Sequence, residues 1–356
     1  MQAVILVGGE GTRLRPLTYE LPKPMAPLLG RPFIGWIIER LRAAGVDEVI
    51  LSCCYMPEKI EAHFGDGRRA GVRLSYVFEE QPLGTAGAIR NALEHIAGMV
   101  YVCNGDILTA LDLVELRDWH RRHRAIATIH TRPVDDPSQF GVVETEDDGR
   151  VLRFVEKPKR GETRAHDINA GTYVLEPQAV EAIPVGRAVS IERETFPRLI
   201  KETREVYALS TNDYWIDVGR PESYVQAHVD ILNGRFARPV GSQIAENVWA
   251  ADGAPITGVT LRGPAYIGPR VRIERGAVIG PYSAIYDGTS VGAHATIERS
   301  ILWPGCDIGP NAAVSDAILG LNTTIIGGRQ VVPGTVMANG KSGQTTRNFA
   351  GLFDPR

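Results

Sequence analysis

The chain has 356 residues, 44% apolar and 23% charged, with a net charge of −3 at pH 7. That length accommodates two ordinary domains, and the near-neutral balance removes any bulk electrostatic case for nucleic acid or an anionic membrane. No apolar run is long enough to span a bilayer, and no basic segment precedes a long apolar one at the N-terminus, so neither a membrane nor a secretory protein is expected. Cys53, Cys54, Cys103 and Cys306 show no CxxC and no metal-ligand spacing, which points to reduced thiols in a cytoplasmic protein.

From the N-terminus to about residue 235, short apolar runs alternate with helical patterns. "AVILVGG", "DEVILSCCY", "VRLSYVFEE", "MVYVCNGDI" and "IATIHTRPV" are predicted strands. "PFIGWIIERLRAAG" and "TAGAIRNALEHIAG" are predicted helices, each closed by glycine. Strands apolar on both faces and separated by helices imply an α/β domain, a Rossmann-like, mainly parallel sheet covered by helices. Ligands on such sheets sit at the carboxyl ends of the strands. The loop after the first run and the "NGD" after "MVYVC" both fall there.

After residue 235 the pattern changes. "RFARPVGS" reads as a linker, and then a period of six begins. Apolar residues recur at Ile267, Ile273, Ile279, Ile285, Val291 and Ile297, resume at Ile308 and Val314, and continue at Leu319, Ile325 and Val331. Six fits neither a helix nor a series of hairpins; it is the hexapeptide rhythm of a parallel β-helix, expected to act as scaffold. The flat faces and open end of such a coil predict a homo-oligomer assembled partly through residues 265–335.

The first loop, "LVGGEGTRLRPLTYELPKP", sets Gly8, Gly9 and Gly11 beside Arg13, Arg15 and Lys23. Backbone N–H groups in a glycine turn form an anion-binding concavity, and arginine grips phosphate oxygens in pairs. A polyphosphate is the expected guest. Leu14 stands where a dinucleotide fingerprint needs its third glycine, and no Gly-Lys-Ser/Thr closes a P-loop.

"GGEGTRLRPLTYELPKP" resembles the signature of the sugar-1-phosphate nucleotidylyltransferases. "EEQPLGTAGAIRNAL", "CNGD", "FGVVE", "FVEKP", "INAGTYVLEP", "SIERETFP" and "WIDVGRPESY" follow in that family's order. "PLGTAG", "FVEKP", "INAG" and the "SIE" segment are most similar to the mannose-1-phosphate guanylyltransferase branch. The resemblance implies a nucleotidyltransferase catalytic domain over 1–235, a linker over 236–262, a left-handed β-helix over 263–340 and a tail over 341–356. It also implies transfer from an NTP to a sugar 1-phosphate with Mg²⁺ as cofactor. Asp106 and Asp217 would hold the metal, and Arg13 and Lys23 would serve the phosphates as catalytic cations. Leu6, Gly8, Gly9, Gly11, Thr12, Glu79, Gly84 and Asp106 would complete the nucleotide site. Gly141, Glu156, Lys157 and Asn169 would take the sugar phosphate. Arg15 is expected to be structural.

Glu79 is either a solvent-facing glutamate or a reader of guanine, whose N1–H and amino group are both donors; the second reading favours GTP and GDP-mannose as product. Other pairs in the same family are glucose-1-phosphate thymidylyl, uridylyl or adenylyl transfer and heptose-1-phosphate guanylyl transfer. A non-catalytic, nucleotide-sugar-binding regulatory subunit is the rival of another class, opposed by the presence of all five signature cations and aspartates. His63, His123 and His130 form no triad or metal spacing, and His294 in the coil is expected to be structural.

Overall fold

A computed structural model describes residues 1–252, 256–338, 345–349 and 351–353. The rest of the expected tail, 341–344, 350 and 354–356, lies outside the described residues. Two compact units result. The first joins Met1–Gly9 to Ile34–Trp215, and the second joins Glu10–Phe33 to the chain from Ile216 onward.

The first unit is built on a nine-stranded sheet. Its elements are β1 (Gln2–Val7), α1 (Phe33–Ala43), β2 (Glu48–Cys53), α2 (Pro57–Phe64), β3 (Arg73–Phe78), α3 (Gly84–Asn91), β4 (Val100–Asn104) and α4 (Leu113–His123). They continue as β5 (Ala127–Pro133), β6 (Gly141–Thr145), β7 (Val151–Glu156), β8 (Asp167–Leu175), α5 (Pro177–Glu181), α6 (Phe196–Thr203) and β9 (Val206–Ser210). Strand order is β7-β6-β8-β4-β1-β2-β3, with β5 on β8 and β9 on β5. Strands β4, β1, β2 and β3 are parallel, so their carboxyl ends open on one edge. Ala3, Val4 and Ile5 are buried on both sheet faces, as are Val49, Ile50 and Leu51. That is what helices on both sides require.

Strand β8 runs antiparallel to β4, β5 and β6, as does β7 to β6, while β9 pairs parallel with β5, so the other half of the sheet is mixed. The pairing of β8 with β5 shifts between Asn169 and Tyr173, a bulge that re-aims side chains. The helix expected to run to Gly98 stops at Asn91 and is followed by a short 3₁₀ turn, Leu93–His95. Gln2 fixes that end: its side chain donates to His95 O (2.6 Å) and accepts from Ala97 N–H (2.8 Å). The terminus of α4 is closed by Asp112, which accepts from Val114 and Glu115 N–H.

In the second unit the six-residue rhythm becomes three parallel ladders of short strands. Ile267 pairs with Ile285 and Ile279 with Ile297, eighteen residues apart, but Ile285 pairs with Leu302, seventeen apart. Leu302 is the buried residue that the strict period skipped, because the step from Ile297 spans five residues rather than six. Non-glycine residues at the corners, including Tyr282, His294, Asn311 and Asn322, adopt left-handed backbone. Ser242–Ala245 and Val248–Ala250, within the 236–262 stretch, pair with each other and with the coil's strand Ala265–Ile267. Helix α7 (Pro221–Leu232) belongs to this unit.

Candidate active site

In the first unit the site is assembled where β1, β2 and β4 end. Leu6 pairs with Ser52 on one side and Asn104 on the other, and Gly8 and Gly9 continue directly from β1. Glu79 follows β3 and is half-buried. Its N–H donates to Cys53 O (3.0 Å), Oε1 accepts from Ser52 Oγ (3.0 Å) and Oε2 accepts from Leu83 N–H (2.9 Å). A Cβ placed on Gly8 would stand 3.4 Å from Oε1. The carboxylate is thus pinned beside the glycine loop rather than waving in solvent. Each oxygen accepts one hydrogen bond and keeps a further lone pair.

Gly84 opens α3 with φ of +69°, and a Cβ there would meet Val189 O at 2.7 Å, so this turn needs glycine. Asp106 lies in the turn after β4, and Gly105 N–H donates to Leu6 O (3.0 Å), which ties that turn to β1. Asn104, quoted in "CNGD" but not singled out, holds a buried Oδ1 with no hydrogen-bond partner.

The antiparallel strands β6, β7 and β8 supply the other cluster. Gly141 pairs with Glu156, and a Cβ on Gly141 would lie 2.8 Å from Glu156 Oε2 and 2.7 Å from the Phe154 ring. The absence of a side chain at 141 is what leaves a cradle against Glu156. Burial, and then the nearby Glu192 charge, raise the Glu156 pKa above the ordinary carboxylate value. Lys157 is exposed and holds φ of +51°, unusual for a residue with a side chain. Its N–H donates to Phe140 O (3.0 Å). Asn169 sits at the β8 bulge, donating to Tyr173 Oη (2.8 Å) and accepting from Gly171 N–H (3.0 Å).

Glu192 is the acidic residue that sequence reasoning passed over. It lies in a single π-helical turn, Ile191–Thr195, a form that recurs at functional sites. Its Oε2 accepts from Thr85 Oγ1 (2.9 Å) and Ser190 Oγ (2.7 Å). The "SIERETFP" motif contained it, but its partner Thr85 is distant in sequence. The fully buried Tyr173 phenol is held protonated by burial first and then by the charges of Glu192, Glu156 and Asp106.

In the second unit, Gly11 takes φ of +63° and a Cβ there would meet Lys23 Cβ at 2.9 Å. Thr12, exposed, begins the short turn Thr12–Leu14 that carries Arg13. The Arg13 guanidinium lies against Gly219, where an added Cβ would meet it at 2.8–2.9 Å. Asp217 ends the strand Trp215–Asp217, two residues before that glycine. Lys23 is buried, which an amine tolerates only with polar or charged company. Arg15 is paired to Glu10 (2.8 Å) and lies over the Tyr19 ring.

Asp106 and Asp217 are hard oxygen donors, the type Mg²⁺ accepts alongside water and phosphate. Among the described residues no three His, Cys, Asp or Glu side chains gather into a cage of their own. Of the set-aside histidines, His130 is buried beside Thr211 (3.0 Å), and burial lowers its pKa to about 4. His63 is likewise lowered by burial, and His123 packs on Trp119 and Tyr207. Burial pushes the Cys53, Cys103 and Cys306 thiols up to about 12, well away from reactive thiolates. No helix of the described residues is long and apolar enough to cross a membrane.

Residues 2–234 match the nucleotidyl transferase family, and residues 261–343 match the GMPPB C-terminal domain. The chain is 43% identical over 310 residues to a mannose-1-phosphate guanylyltransferase of Mycobacterium tuberculosis, covering 84% of this chain and 83% of that one. It is 35% identical over 334 residues to mannose-1-phosphate guanylyltransferase 1 of Arabidopsis thaliana, covering 91% and 87%. It is 33% identical over 339 residues to a UTP–glucose-1-phosphate uridylyltransferase of Synechocystis, covering 90% and 87%. Among solved structures, HddC from Yersinia pseudotuberculosis complexed with GMP-PN aligns with a TM-score of 0.55 at 33% identity, over 64% of this chain and 97% of that one. The chain belongs to the nucleotidyl transferase family.

Proposed function

We propose that the chain is a GTP:mannose-1-phosphate guanylyltransferase, with the chemistry carried by residues 1–235 and the coil of 263–340 acting as scaffold. The observation that carries the reading is the Glu79 carboxylate held beside Gly8 at the strand ends, in a chain so similar to relatives bearing that activity. A pinned carboxylate with spare lone pairs suits the two donors on one edge of guanine.

In the proposed reaction a phosphate oxygen of mannose 1-phosphate attacks the α-phosphorus of GTP. The bond from that phosphorus to the bridging oxygen breaks, and pyrophosphate leaves in line. The attacking phosphate is already an anion at neutral pH, so no general base is needed. Arg13 and Lys23 would hold the leaving phosphates, while Leu6, Gly8, Gly9, Gly11, Thr12 and Gly84 present backbone to the nucleotide. Lys157 would hold the sugar phosphate, and Glu156, Asn169 and the cradle at Gly141 would take the sugar. Asp106 and Asp217 would hold Mg²⁺, which when bound supplies positive charge against the phosphates. Cytoplasmic location accords with the buried thiols, and a homo-oligomer through residues 265–335 accords with the open coil.

The test is turnover of purified protein with Mg²⁺, GTP and mannose 1-phosphate, following GDP-mannose and pyrophosphate in equal amounts. Failure with every NTP and sugar phosphate would leave a nucleotide-sugar-binding subunit instead.

A further inference from the structure

We propose that the first unit carries a second ligand site, between β7 and α6, that takes a phosphorylated small molecule with an apolar or ring-shaped body. A cavity of about 440 Å³ opens there, within the usual range of about 300–1,000 Å³ for small-molecule sites. Arg150 and Arg153 line it from the strand side, and Lys201 and Arg204 from the helix side. Every charged residue of the lining is a cation.

Two of these cations are already engaged. Arg153 pairs with Glu144 (2.8 Å), and Arg150 shares Glu146 and Asp148 at 3.6–3.7 Å. Lys201 and Arg204 are exposed and have no ion-pair partner among the described residues. Cations at a helix C-terminus are ordinary, because they answer the helix dipole. That accounts for Lys201 and Arg204 alone, not for two arginines facing them. Arg150 and Arg153 are three apart and would point to opposite faces of a regular strand. Arg150 precedes β7, in an isolated bridge to Tyr207, and a register shift between Val151 and Arg153 separates the two arginines, so regular alternation does not hold and both line the cavity.

The floor is apolar. Phe154 packs its ring 5.7 Å from Phe196, Pro197 and Ile200 complete the wall, and Leu152 stands at the rim 51% exposed. Arginine forks and a lysine suit a phosphate, and the floor suits a hydrophobic body. No carboxylate, thiol or hydroxyl lines the cavity, so the site binds rather than reacts.

The test is calorimetric titration of the full chain with phenyl phosphate, which carries a dianion and a ring but resembles neither an NTP nor a sugar 1-phosphate. Saturable one-to-one binding is expected, weakened at least tenfold in Lys201→Glu/Arg204→Glu at an unchanged melting temperature. Inorganic phosphate, lacking the ring, should bind several-fold more weakly than phenyl phosphate. Should the double variant not fold, Arg204→Ala supplies the comparison, with a threefold or greater loss expected. No binding, or binding equally tight in the variant, would overturn the site; equal affinity for the two probes would overturn the ring-shaped guest.

Discussion

Replacing Tyr286 by phenylalanine should loosen the second unit at the base of its signature segment. Tyr286 is buried at the coil's corner after Ile285. Its hydroxyl accepts from Leu29 N–H (2.7 Å) and lies 2.8 Å from His228 Nε2. His228 Nδ1 lies 2.8 Å from the Tyr224 carbonyl, which can only accept, so Nδ1 carries the proton and Nε2 receives that of Tyr286. Deleting the hydroxyl strands a buried backbone N–H and a buried imidazole nitrogen while leaving the ring in place. Each orphan costs about 1–3 kcal/mol, so for the two a loss of about 2–6 kcal/mol is expected. Urea denaturation followed by circular dichroism reads this as a lower midpoint at unchanged slope. The same hydrogen bond holds Leu29, in the segment that bears Arg13 and Lys23, so turnover should fall as well. A loss below about 0.5 kcal/mol would show that the hydroxyl is not the link this geometry describes.

Acid should destabilise the protein through its buried imidazoles. His228 and His130 have folded pKa values lowered by burial to about 4, below the unfolded 6.5. The unfolded chain therefore binds more protons between those values, and stability falls as pH drops from 6.5 towards 4. Each contributes about 2 kcal/mol of that loss by pH 5, checked by urea midpoints at pH 7 and pH 5. Asp106→Asn should abolish most of kcat while leaving the melting temperature within a degree or two; full activity would remove Asp106 from the machinery. Gly141→Ala should raise KM for the sugar phosphate at least tenfold with little change in KM for the NTP, because the added methyl enters the cradle at Glu156. Light scattering on a size-exclusion column should give a mass above the 38.8 kDa of one chain; a single 38.8 kDa species would contradict the oligomer.

Much of this architecture was written in local periodicity. The runs at Ala3–Val7 and Val49–Cys53 read as buried parallel strands because they are apolar on both faces, and the coil declared itself in the spacing from Ile267 to Ile297. What escaped depends on geometry that no local window contains. The five-residue step to Leu302 breaks the period without breaking the coil, since parallel pairing needs only that Ile285 and Leu302 meet. The chain beyond α3 leaves the helical path where the distant side chain of Gln2 bonds His95 and Ala97. Glu192 stood in a quoted motif, yet its bond to Thr85 and its field on Glu156 exist only after folding. Glu79 was legible as a candidate, but only the fold shows Ser52 and Leu83 fixing both of its oxygens.

The most direct measurement is a substrate matrix: each of the four NTPs against mannose, glucose and N-acetylglucosamine 1-phosphates, with Mg²⁺ and pyrophosphate release as readout. GTP with mannose 1-phosphate should exceed every other pair in kcat/KM by at least tenfold, and Glu79→Gln should narrow the preference for GTP. A win for UTP with glucose 1-phosphate, the pair named in the Synechocystis relative, would contradict the assignment of base and sugar.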